Sequence, residues 1–353
     1  MMSPFIEQKM ADLVDSSSNR RTLAVVVTMH RSGSSAMANI LERLGMSLGP
    51  FELLGASPTN RHGHFEAMPF YQLDQKLQGQ VFGFTEDIPE SQDVLRSFCK
   101  SEGRWNLEGS SVTEEQLAYG KKLVEQLTAA GQVSGFKDPR VPVLWPFWSR
   151  VFADFPDLRV VPVFLVRSPH EIAMSMFTRA KGRFSYRDAL DVTAVSLKCL
   201  RDIRNSWPGE QVLVRFDPRV LADDMRQAAK VLGLDWSEER FREAYDPSDL
   251  HYVPTHIDHE SQQLFNELSG LGQTPDADNA KVLANDAVRR EKVLQQYCVE
   301  LKSQIDRNEK HIIGLMSAVQ DLADRMRVLE MHPIQRGTRL VNRVLNRESE
   351  PKR

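Results

Sequence analysis

The stretch that decides the fold is TMHRSGSSAMANIL, Thr28–Leu41. It follows the apolar run LAVVV (residues 23–27) and passes through a polar turn with Gly33 and three serines. Beyond the turn, Met37, Ile40, Leu41 and Leu44 recur at the spacing of one helix face. A strand feeding such a turn and a helix aims several backbone N–H groups, and the positive end of the helix dipole, at one point, which makes an anion site. Gly33 permits a close backbone approach, Ser32, Ser34 and Ser35 carry hydroxyl donors, and Arg31 adds a fixed charge that can fork two oxygens. Taken alone, the same residues also suit an ordinary serine-rich helix start, so the remainder of the chain has to decide.

Downstream, strands and helices alternate. A long region rich in turn residues (45–109) reads as irregular. A helix starts near Thr113, the strand VSGF ends at KDPR (137–140), and the strand VVPVFLV carries Pro162, which predicts a bulge or an edge position. Ser168, Pro169 and Glu171 read as a capping box with proline at the first helical position. The helix YRDALDVTAVSLKCLRDI, the strand VLVRF and a helix capped by Asp217 and closed near Gly233 continue the pattern. The fold class is therefore α/β, a mostly parallel sheet flanked by helices, with ligands at the carboxyl ends of the strands.

Composition bounds the function. With 353 residues, 41% hydrophobic and 26% charged, the chain can bury a full core and add an appendage. Net charge of −3 gives no reason to expect nucleic acid. Cys99, Cys199 and Cys298 lie too far apart for a disulfide framework or a metal knuckle and fit a reducing compartment. No apolar run approaches a membrane span and the N-terminus lacks a signal-peptide core, so the expected location is cytoplasmic.

Two features raise the anion reading. A phosphate-binding kinase or ATPase loop needs Gly-Lys-Ser/Thr and an acidic metal anchor on a nearby strand. Here Ala36 follows Ser35, and VVPVFLV runs into Arg167, which repels a metal and welcomes a second phosphate. Ser175, two turns into the next helix, can close on the same anion. The pattern suits a nucleotide with two separated anionic groups and no metal.

RSGSSA after a strand, then a later strand ending RSPHEIAMS, resembles the 3′-phosphoadenosine-5′-phosphosulfate (PAPS)-dependent sulfotransferases, in their bacterial carbohydrate-type branch. The resemblance runs from about Arg21 to Tyr245. It implies a P-loop-like fold, PAPS as donor, a 5′-phosphosulfate loop at Arg31, Ser32, Gly33, Ser34 and Ser35, and a 3′-phosphate pair in Arg167 and Ser175. Arg31 and Lys137 are its candidates for stabilising the leaving phosphate. Pro139 stands where cytosolic members carry a histidine base; Glu66 of RHGHFEAMPF resembles the glutamate that glycan-modifying members carry after the first helix, which the resemblance makes the base, with Asp138 as alternative. The late Arg-Lys-Gly segment of those members has no counterpart; Tyr252 and the neighbouring histidines are the substitutes to consider. His251, His256 and His259 match no tight zinc signature. Phe82, Phe84, Trp145, Phe147 and Trp148 are core or pocket aromatics. A metal-dependent nucleotide or small-molecule kinase, and a coiled-coil assembly protein with a degenerate nucleotide domain, are the competing readings.

From Ser269 the pattern changes. Cys298, Ile305, Ile312, Val319 and Met326 recur every seven residues, as do Leu294, Leu301, Asn308, Leu315, Leu322 and Leu329. β-Branched residues at one core position and leucine at the other favour a parallel two-stranded coiled coil about 54 Å long, with Asn308 setting register; a single helix packed on its own domain is the alternative. The last segment places Arg336, Arg339, Arg343 and Arg347 at helical spacing among apolar residues, a surface for an anionic membrane or a frayed end. The expected organisation is a tail to residue 21, a catalytic domain over 22–268, a linker over 269–285, a coiled coil over 286–331 and a basic amphipathic tail over 332–353. A homo-oligomer acting on a glycan or glycolipid hydroxyl, held at the inner face of the membrane, is the expected assembly.

Overall fold

The computed structural model describes residues 20–56, 63–86, 89, 91–105, 112–181, 184–245, 254–270 and 279–330. The expected N-terminal tail up to residue 19, the expected C-terminal tail, His251 and Tyr252 lie outside these residues. Strand β1 (Thr22–Val27) is buried at every position, as a strand covered on both faces must be. The chain continues through α1 (Ser34–Arg43), α2 (Met68–Phe82), α3 (Gln92–Ser101), α4 (Glu114–Thr128), β2 (Val133–Lys137), α5 (Val141–Phe152), β3 (Arg159–Val166) and α6 (Pro169–Arg179). It ends with α7 (Tyr186–Ser206), β4 (Val212–Arg215), α8 (Leu221–Leu232), α9 (Glu238–Ala244), α10 (Glu260–Ser269) and α11 (Asn279–Glu330).

The four strands are parallel in the order β2-β1-β3-β4. Because β2 lies on one side of β1 and β3 on the other, the chain changes direction between β1 and β3, and the crevice at their carboxyl ends is the switch point where such sheets bind ligands. Alternate residues of β1 enter two cores. Leu23, Val25 and Val27 pack with Phe70, Leu77, Phe136, Trp148 and Phe152; Ala24 and Val26 pack with Met37, Ile40, Leu41, Met225 and Leu232. The sheet is thus the middle layer of three, as the α/β reading requires.

Several local expectations change. The region after Gly45 is not simply irregular, since α2 and α3 form within it. Helix α5 (VPVLWPFWSRVF) is buried at all but Pro146 and Arg150 and carries Pro142 at its start and Pro146 inside, so its sequence reads as an apolar run broken by prolines. Its Trp145, Phe147 and Trp148 are core residues. Strand β3 is interior, yet β4 pairs with it only from Val163 onward, so Pro162 sits where one side of the strand has no ladder to complete. Ser168 is the N-cap of α6 without a side-chain capping bond, and the Glu171 carboxylate, the other half of the expected box, bonds Arg167 instead. Asp217 accepts from the Arg219 amide and guanidinium in a turn ahead of α8, whose N-cap is Val220. At α4 the capping box does form, between Thr113 and Gln116.

Beyond β2, the open edge is met by Ser47, whose amide donates to Val133 O at 3.0 Å and whose carbonyl accepts from the Gly135 amide at 2.9 Å.

The chain divides into two compact units, one ending at Val293 and the other beginning at Leu294. Within the first, His170 of α6 is fully buried between Tyr186 OH (2.7 Å from Nδ1) and Asp286 Oδ2 (2.8 Å from Nε2). Arg289 donates to the other Asp286 oxygen, and the Arg290 guanidinium lies 4.3 Å above the Tyr186 ring. Burial depresses the affinity of His170 for a proton. The early turns of α11 therefore complete the first unit. In the second unit the helix exposes Leu301, Ile305, Ile312, Leu315, Val319 and Leu322, all heptad positions. Among the described residues, no helix is long and apolar enough to cross a membrane.

Candidate active site

The anion loop begins where β1 ends. Arg31 (φ +64°) and Gly33 (φ +90°) both adopt the left-handed conformation, and Gly33 is the N-cap of α1 with no side-chain capping bond. The first N–H groups of a helix have no intrahelical partner, so this terminus presents the positive end of the helix dipole to the loop. Thr28 Oγ1 donates to Leu165 O of β3 at 3.1 Å, and Ser32 Oγ donates to Met29 O at 2.7 Å. The Ser32 hydroxyl, expected to face an anion, is fully buried and bonded within the loop to Met29 O and to the Thr28 hydroxyl. Ser34 is buried at the first turn, and Ser35 Oγ donates to His64 O at 3.2 Å.

A β-carbon on Gly33 would lie 2.6 Å from the Phe216 ring, in a backbone conformation that L residues rarely adopt. Gly33→Ala is expected to destabilise the protein by about 2–4 kcal/mol, combining left-handed strain with overpacking. A urea midpoint unchanged from the parent would contradict this account.

Arg167 is the residue after β3 and reaches the loop. Its Nη1 donates to Arg31 O at 3.2 Å, while Nε and Nη2 donate to Glu171 Oε1 at 3.2 and 2.8 Å. Its guanidinium lies 5.3 Å from the centre of the Phe216 ring. Ser175 Oγ accepts from Arg31 Nε at 2.8 Å. Arg31, Arg167 and Ser175 thus meet at the switch point, although 144 positions separate the first from the last. Burial raises the pKa of Glu171 against the pull of Arg167.

Lys137, the last residue of β2, donates to Glu66 Oε1 at 2.6 Å and to His64 O at 2.9 Å. Both side chains of this ion pair are buried. The two residues expected to act as leaving-group cation and base are therefore neighbours. Asp138, the alternative base, is fully buried and bonds the Arg140 amide at 2.8 Å and its guanidinium at 3.1 Å; burial raises its pKa. That carboxylate orients Arg140, which spans to Thr85 O at 3.3 Å and lies over the Tyr71 ring. Nearby, Asp74 is fully buried, accepts from Trp148 Nε1 at 3.0 Å, and has its pKa pushed well above the usual carboxylate range by burial.

Sequence reasoning missed Asp74, Arg140, Glu171 and the His64 carbonyl. Asp74 had a signal, since it shares a helix face with Phe70 and Leu77. His64 had none, because its main chain makes the contact. His259 caps α10 through Nδ1 and bonds Asp191 Oδ1 at 3.0 Å. Among the described residues, no group of three His, Cys, Asp or Glu side chains is gathered to hold a metal ion.

No protein-family model and no curated protein matches the chain. Among solved structures, it is similar to the sulfotransferase domain of the Synechococcus PCC 7002 olefin synthase, at 16% identity and a TM-score of 0.33, covering 78% of this chain and 96% of that one. It is also similar to the sulfotransferase domain from the curacin biosynthetic pathway, at 12% identity and a TM-score of 0.36, covering 76% and 98% respectively. At these scores both likenesses are distant.

Proposed function

We propose that the chain is a PAPS-dependent sulfotransferase that transfers a sulfuryl group to a hydroxyl of a carbohydrate or glycolipid without a metal ion. One observation carries the reading: a loop at the switch point gathers Arg31, Arg167 and Ser175, while a buried Lys137–Glu66 pair stands beside the same loop, bridged to Ser35 through His64 O. The α1 N-terminus, Gly33, Ser34 and Ser35 would hold the phosphosulfate, and Arg167 with Ser175 the 3′-phosphate. The acceptor oxygen forms the new bond to sulfur as the bond from sulfur to the 5′-phosphate oxygen breaks. Glu66 takes the acceptor's proton, and Lys137 and Arg31 stabilise charge on the departing phosphate. Transfer in line between two oxygens asks the protein for position and charge alone.

Calorimetric titration tests the donor. Adenosine 3′,5′-bisphosphate is expected to bind saturably without divalent cations; tight binding of ATP with magnesium, and none of the bisphosphate, would instead identify a kinase. Donor-dependent labelling of candidate glycans and glycolipids then identifies the acceptor.

For the assembly, we propose a parallel homodimer through the exposed heptad face of α11, with the basic tail resting on the inner face of a membrane in the cytoplasm. Removal of those side chains from water is the driving term. Sedimentation is expected to give a dimer for the full chain and a monomer for a chain ended at Val293, which keeps Asp286 against His170. Equal monomeric masses refute the dimer.

A further inference from the structure

The carbonyl oxygen of His64 occupies a position suited to a ligand oxygen. It accepts from Lys137 Nζ at 2.9 Å and from Ser35 Oγ at 3.2 Å, a leaving-group cation and a phosphosulfate donor in the reading above. A peptide oxygen offers two lone pairs and partial negative charge, so it satisfies these donors as a sulfate or phosphate oxygen would. The segment delivering it is tightly wound, with Gly63 at φ +92° and Phe65 at φ +55°. It is pinned to its neighbour, His64 N donating to Leu54 O at 3.1 Å and Leu54 N to Glu66 O at 2.7 Å. Positive φ at a phenylalanine is uncommon and persists only where surrounding contacts enforce it. The same segment ends at Glu66, whose carboxylate is buried against Lys137.

We propose that Gly63–Glu66 is a plug: the His64 carbonyl oxygen holds the oxygen-binding position between Ser35 and Lys137 until the nucleotide's anionic group displaces it, and only then does Glu66 face the acceptor. This rests on the nucleotide reading and adds to it a compulsory order, nucleotide before acceptor. Displacement exchanges one oxygen for another on the same two donors. The left-handed strain at Phe65 is released at that step, which favours opening.

Two substitutions at one position isolate the backbone, since both remove the phenyl ring. Glycine adopts φ +55° freely and keeps the plug seated, whereas proline is held near −65° and cannot form it. In titrations of the full chain with adenosine 3′,5′-bisphosphate, Phe65→Pro is expected to bind roughly fivefold or more tightly than Phe65→Gly, with the parent between them. On the parent itself, saturating bisphosphate is expected to speed hydrogen exchange at residues 63–66 while slowing it at 31–36; this measurement needs no variant to fold. Bisphosphate binding with unchanged or slower exchange at 63–66, or with equal affinity in the two variants, overturns the plug and leaves the nucleotide reading standing. Absence of bisphosphate binding in the parent overturns both.

Discussion

Glu66→Gln is expected to lower kcat for sulfuryl transfer about 10²- to 10⁴-fold, the usual contribution of a positioned general base, a loss far larger than its effect on nucleotide affinity. Glutamine has the shape of glutamate and keeps an oxygen for the Lys137 ammonium, so the packing is kept while the buried cation loses its counter-charge. What it loses is the capacity to accept a proton. Initial rates with labelled donor and the identified acceptor, beside calorimetric affinity for the bisphosphate, separate the two effects. A rate equal to the parent's would remove Glu66 from the chemistry. An assembly protein with a degenerate nucleotide domain would lose no function on this change, and would lose it on removal of α11.

Lys137→Ala should be the most damaging change to stability at the site. It leaves the Glu66 carboxylate buried beside His64 O with no cation, and breaking a buried pair from one side costs about 3–5 kcal/mol. Neutralising the survivor should return much of that loss: the double substitution Lys137→Ala with Glu66→Gln is expected to be more stable than Lys137→Ala alone. The sign of that difference, read from urea midpoints, is the test, because independent sites would add their losses. Transfer stays lost in both proteins.

The parts of the site legible in the sequence are those that follow strands. Arg31, Arg167 and Lys137 each stand at or just beyond the carboxyl end of a strand, where a parallel sheet must present them, and an apolar run followed by a cation is readable. The order β2-β1-β3-β4 is not, since nothing in the local pattern says which neighbour β3 will choose. Competition between short-range partners explains the capping errors. Glu171 lies within reach of both the start of its own helix and the guanidinium four residues earlier, and the charged partner wins because it offers two N–H donors in a buried place. Asp217 is drawn in the same way to Arg219. Helix α5 escaped because its two prolines argue against a helix and its apolar run is nearly unbroken.

The crossing of Ser47 over β2 has a consequence for behaviour at high concentration. Parallel sheets end in rows of unsatisfied amides that recruit strands from other molecules. Here part of one edge, at Val133 and Gly135, is met by Ser47, and the packing is close: a methyl group at Gly135 would lie 2.5 Å from Met46 Sδ and 2.7 Å from Ala24 O of β1. A side chain at that position would press on Met46 and on the β1 backbone, so Gly135 keeps the residues around Ser47 close against the edge and helps deny it to other molecules.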